Sequence, residues 1–303
     1  MSEDIRHKFH QMPKADVHNH LHLGGTAKRL REKYRDASIT FPETYDGLDG
    51  MIDFIYGTLN KIMLNKDDVK FFMEMAIESS IDDNITHLEA SVDIGLARFF
   101  DDSIEQVIEV VMELKERYGS QIDFRPDIGV NKDLALDKVY SDGVKCIKSN
   151  VFSGIDIYGK EVGREMEPFL DLFDQARNHD LKTKVHIGEF SSHETIESAI
   201  NILHPDELQH GIRAVDSEDT MNLILENNIR LNVCPQSNFA LGSSASIAEH
   251  PMRKLFDQGI NLTINTDDLL LFDASVTDQF LDLHKHDVFS FEELDEIRKN
   301  AFL

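Results

Sequence analysis

The sequence predicts an α/β fold: a (β/α)8 TIM barrel with extra helices near the mouth formed by the C-terminal ends of its strands. Three observations predict it. Eight short apolar runs recur along the 303 residues, and amphipathic stretches separate many of them. Polar residues suited to ligation close several runs that are not neighbours in sequence. Alternating strands and helices favour a mostly parallel sheet with helices packed outside it. An open doubly wound sheet would satisfy the alternation too, but it would scatter some of those strand ends. A closed barrel gathers them at one mouth.

The expected strands are residues 15–20, 85–92, 122–127, 151–157, 181–187, 207–210, 229–234 and 260–265. Residues 144–148 compete with 151–157 for the fourth place. Between strands, Ile104, Val107, Ile108, Val111 and Met112 recur at helical spacing on one face, so 104–115 reads as a helix. Residues 169–177, 217–227 and 247–257 read the same way. In the last, Glu249 in the first turn and Arg253 and Lys254 nearer the end suit the helix dipole. Residues 40–80 are too long for one crossover helix and are expected to add helices over the mouth. No linker, low-complexity tract or internal repeat divides the chain, so residues 1–303 are expected to form one domain.

Charge narrows the range of partners. Lys and Arg number 31 against 56 Asp and Glu, a formal charge of -25. Phosphates would be repelled over most of such a surface, so neither nucleic acid nor an anionic membrane is an expected partner. A small molecule in a locally organised pocket is compatible with it. Cys146 and Cys234 form no CxxC pair and are expected to be reduced, in the core or near the site. The N-terminal stretch has no long apolar segment, so a cytoplasmic location is expected.

The densest chemical feature is Asp16-Val17-His18-Asn19-His20. Alternate strand residues point the same way, so His18 and His20 can meet one ion. Neutral imidazoles suit zinc or another borderline divalent metal. A third histidine, His186, ends an apolar run and is followed by Gly188 and Glu189. His210 ends another run before Gly211, and the last run closes in Asp267 and Asp268. Singly, each has a plain structural use: a hydrogen-bonded core histidine, a solvated loop carboxylate, a helix cap. Taken together, His18, His20, His186 and Asp267 make a three-nitrogen, one-oxygen set that leaves room for a water, as a catalytic zinc site requires. His7, His10, His179, His204, His250, His284 and His286 read as surface or structural.

In this order, these fragments resemble the adenosine deaminase branch of the amidohydrolase superfamily, over nearly the whole chain. Residues 13–21 resemble the family's opening metal strand, and Gly154-Ile155-Asp156-Ile157-Tyr158-Gly159 its fourth. His186-Ile187-Gly188-Glu189, His210-Gly211, Cys234-Pro235-Gln236-Ser237-Asn238 and Asn265-Thr266-Asp267-Asp268 follow in family order. The resemblance implies one divalent metal, zinc by preference, on His18, His20, His186 and Asp267. It implies hydrolytic deamination of adenosine or a related amino-purine nucleoside, with ammonia released after zinc-activated hydroxide attacks. Glu189 would then protonate the ring, His210 and Asp268 would orient the attacking oxygen, and Asp268 and the Gly159 backbone would contact the purine.

Two positions depart from the family. Its opening histidines are usually followed by Leu-Asp-Gly, the Asp binding ribose, and here His22 occupies that place. A family Glu-x-Arg on the second strand becomes Glu89-Ala90-Ser91. The implied chemistry carries over better than the sugar contacts do. Lys160 and Arg98 are the cations that could meet a phosphate, but neither lies in a phosphate loop, and a neutral substrate is preferred. Phe54, Ile55 and Phe72 read as helix packing with a pocket role as the alternative. Three rivals stand beside this reading: deamination of another amino-heterocycle, a two-metal amidohydrolase using a carboxylated Lys145 or Lys148, and a catalytically silent ligand-binding barrel.

Overall fold

The computed structural model describes residues 2–35 and 39–303. Eight strands lie in one sheet in chain order: β1 (Lys14–Asp16), β2 (Ile85–Asp93), β3 (Asp123–Asn131), β4 (Gly154–Tyr158), β5 (Lys182–Ile187), β6 (Glu207–His210), β7 (Arg230–Val233) and β8 (Leu262–Ile264). Each pairs in parallel with the next. The ring closes just beyond β1 and β8, where Asp267 N donates to His18 O at 2.9 Å and His20 N donates to Asp267 O at 3.3 Å. The backbone of three of the proposed ligands, His18, His20 and Asp267, thus forms the seam of the barrel.

Residues 144–148 are helical, inside Leu136–Lys148, so the fourth strand comes from the 151–157 run, starting at Gly154. The expected first strand is regular only over Lys14–Asp16, and Asn19 and His20 continue it as single bridges to Asp267 and Ser91. The third strand runs further than expected, to Asn131. The helix expected at 104–115 spans Ile104–Tyr118 and is capped by the Ser103 side chain. The one expected at 247–257 begins only at Met252. Pro251 explains the delay: a residue before proline is pushed out of the helical region. Glu249 therefore lies outside that helix and does not serve its dipole.

Residues 40–80 supply two main helices with different jobs. Gly47–Gly57 covers the mouth with Leu48, Met51, Ile52 and Ile55, whereas Lys66–Asp82 packs beside β2 and buries Phe72, Met73 and Ala76. Phe72 is core, Phe54 packs on Phe41 and Tyr45, and Ile55 alone of the three reaches the cavity.

Inside the barrel the period-two rule stacks polar layers. On β5, Lys184 and His186 both point inward. Lys184 Nζ lies 2.5 Å from Glu89 Oε2 and 2.6 Å from Asp127 Oδ2, below the level of the histidines. Burial disfavours its charge, yet Asp127, Glu89 and Glu207 outweigh that and keep it a cation. Removing one partner from such a buried cluster is costly, so this layer is a rigid floor under the site. Among the described residues, no helix is long and apolar enough to cross a membrane.

Candidate metal and catalytic site

His18, His20, His186 and Asp267 are buried together, each offering one ligand atom, all within 4.8 Å of one another. Asp267 Oδ1 lies 3.3 Å from His20 Nε2 and 3.5 Å from His18 Nε2. The far nitrogens are already committed. His18 Nδ1 lies 2.9 Å from Asn232 O, and His186 Nδ1 lies 3.0 Å from Asp156 Oδ1. Both partners only accept, so both Nδ1 atoms carry the proton and both Nε2 atoms present lone pairs. Those lone pairs face each other at 3.0 Å. Without a cation between them they would repel.

The electrostatics agree. Burial disfavours the His20 cation, yet Asp268, Asp267 and Asp156 together raise its pKa to about 10. Burial alone would raise Asp156, but His186, His20 and His18 hold it well below the usual carboxylate range. Carboxylates crowd the imidazoles closely enough to hold a positive charge on His20, and a divalent metal fits a place that attracts positive charge in this way. Asp156 and Asn232 are the outer partners that orient such ligands. Ser91, where the family has arginine, donates to Asp156 Oδ2 and so supports His186 from behind.

Glu189 follows a turn only glycine allows. Gly188 has φ +73°, and a Cβ there would lie 2.3 Å from Ile196 Cδ1. Burial, then the charges of Asp267 and Glu161, push the Glu189 carboxyl well above its ordinary pKa, against hydrogen bonds from Asn238 and Ser243. The shift favours the protonated form of the carboxyl. Its Oε2 lies 3.4 Å from His210 Nε2. Burial and the neighbouring histidine His18 push His210 well below the ordinary histidine value, so its ring is neutral. Burial, together with the charge of Asp267, lifts Asp268 to about 7 despite the pull of His20.

A cavity of ≈ 580 Å³ opens on this cluster. His20, His186, Asp267, Glu189, His210, Asp268, His22 and Gly159 all line it; His18 lies beneath the surface. His22 is neutral, burial lowering its pKa to about 4, and its buried Nδ1 has no partner. Lys145 and Lys148 sit on the outer helix Leu136–Lys148, with Lys145 paired to Glu105 at 2.9 Å. Neither is available to a two-metal centre. Cys146 and Cys234 are free and buried, and Cys234 Sγ touches His18 Nδ1 at 3.3 Å.

Several partners escaped the reading of the sequence. Asp156 could have been found, since it sits two residues before Tyr158 on the inward face of β4. Glu161 could not. Its carboxylate accepts from Gly188 N at 2.7 Å, Ser191 N at 3.1 Å and Glu189 N at 3.2 Å, clamping the loop that carries Glu189. Asn238 contacts both Glu189 and His210, and the structural histidine His250 holds Asn238.

Comparison with known proteins places this site in a family. The adenosine deaminase family model matches residues 13–303. A Treponema pallidum protein, provisionally described as an adenosine/adenine deaminase, is 32% identical over 275 residues, covering 91% of this chain and 92% of its own. Among solved structures, the adenine deaminase of Arthrobacter aurescens superposes with a TM-score of 0.84 at 22% identity, covering 95% of this chain and 92% of that one. A Burkholderia ambifaria amidohydrolase solved with bound Zn gives 0.79 at 20%, covering 98% and 86%. With the family's match running to the last residue and its metal-binding quartet assembled at the barrel mouth, the chain belongs to the adenosine deaminase family of metal-dependent amidohydrolases, enzymes of the deaminase type.

Proposed function

We propose that the protein hydrolyses the exocyclic amino group of a neutral amino-purine, adenosine or adenine, releasing ammonia. The observation that carries this is the pair of opposed lone pairs on His18 and His186, set in one cavity beside Glu189, whose carboxyl is held well above its ordinary pKa. A divalent ion on His18, His20, His186 and Asp267, zinc by preference, would supply the Lewis acidity that makes water a nucleophile near neutral pH.

The chain's own groups do the rest. Glu189, its pKa raised by burial and by Asp267, would hold a proton and deliver it to the ring nitrogen next to the carbon under attack. Asp268 and His210 flank the same space and would orient the attacking water. The oxygen–carbon bond forms, the carbon–nitrogen bond breaks, the amino group leaves as ammonia, and the oxo-purine remains. Water's protons balance the ledger: one goes to the leaving amine and one restores Glu189. The Gly159 backbone and the unpartnered His22 Nδ1 are the proposed substrate contacts, and helix Gly47–Gly57 forms one wall of the cavity.

Charge supports a substrate without phosphate. Away from the metal cluster the wall carries Asp49, Asp53, Asp93, Asp133 and Glu161 against Arg98 and Lys160, and Lys160 is paired with Asp49 at 2.8 Å. The test is ammonia release by metal-quantified protein on adenosine, deoxyadenosine, adenine and AMP, with the oxo product identified. Turnover of adenosine or adenine at about one metal per chain is expected. Preference for AMP would overturn the neutral-substrate reading. Two metals per chain, or no ammonia from any amino-purine, would overturn the reaction.

A further inference from the structure

We infer that His250, which lies outside the cavity, fixes the tautomer of His210 through Asn238, so that His210 acts in the site as a hydrogen-bond donor and not as a base. The inference deepens the role proposed above for His210, and it rests on directional hydrogen bonds, with the burial of His250 in support.

The chain starts at a backbone amide. Met252 N donates to His250 Nδ1 at 3.2 Å. A backbone N–H can only donate, so this nitrogen keeps its lone pair and the proton of the neutral ring sits on Nε2. His250 is 3% exposed, and burial lowers its pKa to about 3, so the doubly protonated ring does not compete. Its Nε2–H faces Asn238 Oδ1 at 3.1 Å. That contact orients the amide, because the flipped form would set N–H against N–H.

The Asn238 amide nitrogen then meets two acceptors, Glu189 Oε1 at 2.7 Å and His210 Nδ1 at 3.1 Å. His210 Nδ1 is thereby an acceptor, and its proton stands on Nε2. That atom is 3.4 Å from Glu189 Oε2 and 3.9 Å from Asp267 Oδ2, where an attacking water would sit. An imidazole carrying its proton there cannot take one from water; it can hold the water's oxygen. The same amide leaves Glu189 Oε2 as the oxygen free to bear the acid proton. Asn238 and His250 are positioning residues, and one backbone N–H outside the cavity sets the direction of every bond in the series.

The test reads ring nitrogens by 15N NMR in the zinc-loaded, histidine-labelled enzyme, assigning His210 by its loss in His210→Asn. The wild type should show His250 and His210 both protonated on Nε2. Asn238→Asp offers only acceptors, so the His210 proton should move to Nδ1. In that variant kcat should fall by about 100-fold, with KM and metal content little changed. His250→Phe frees the amide to flip, and His210 should then populate both tautomers. A wild-type His210 protonated on Nδ1, or a tautomer that ignores Asn238→Asp, would overturn the inference, and the wild-type spectrum requires no variant to fold. The spectra need no substrate, so an enzyme inactive on amino-purines but with the expected tautomers would sink the proposed function and leave this relay standing.

Discussion

His18 and His186 bring their Nε2 atoms to 3.0 Å across 168 positions of sequence. The contact exists because the first and fifth strands of a closed barrel both aim side chains at one axis. A divalent cation held by the cluster would relieve the repulsion between the two lone pairs. The first prediction tests that dependence.

Asp267→Ala removes the only carboxylate of the quartet. Changes in the outer partners of a metal ligand typically cost about 10- to 100-fold in metal affinity or activity, so loss of a ligand itself should cost at least about 100-fold in both. Metal content after dialysis and ammonia release should fall together. Full retained activity would remove Asp267 from the site.

Glu189→Gln should separate chemistry from binding. The residue is not in the quartet, so metal content should stay near wild type while kcat falls by about 1,000-fold, within the usual range for a lost general acid. Metal quantification beside steady-state kinetics checks it. Loss of metal in step with activity would undo the assignment of proton transfer.

Glu161→Gln tests the clamp. The carboxylate faces only donors at Gly188, Glu189 and Ser191. An amide would set one of its own N–H groups against them. The loop should shift, with kcat lowered by about 10-fold and metal binding intact, since a misplaced acid loses orientation more than strength. An unchanged kcat would make the clamp a matter of stability only.

His250 also predicts a pH dependence of stability. Its folded pKa, about 3, is depressed below the unfolded value of about 6.5. Between these values the unfolded chain binds a proton that the folded one does not, so stability falls as pH drops through that window, by up to about 1.4 kcal/mol per pH unit for this one group. Above pH 6.5 its contribution is flat. Chemical denaturation from pH 7 to 4.5 should show His250→Gln with a shallower acid slope than wild type, and equal slopes would refute the neutral buried ring.

The chemistry-bearing candidates and their frame were legible from the residues alone. Period-two alternation put His18 and His20 on one side of a strand, apolar runs ending in His186, His210 and Asp267 marked strand tips, and the order of fragments resembled one family. Those signals are local, carried by neighbouring residues and by the spacing of short runs, so they survive without coordinates.

What orients that set emerges from the folded chain. Asn238 stood in a quoted fragment without a role, Glu161 lay in a loop with no periodicity to read, and His250 passed for an ordinary structural histidine. Each acts through a directional bond to a residue tens of positions or only a few positions away, on a different element, and no local pattern encodes that meeting. The boundary of the helix at Met252 and the outward placement of Lys145 followed the same logic: a proline's steric veto set one and helix packing set the other. Strand periodicity chooses which side chains face the barrel axis; the closed three-dimensional ring fixes which nitrogen of each histidine carries the proton, because that depends on partners supplied by other strands and loops.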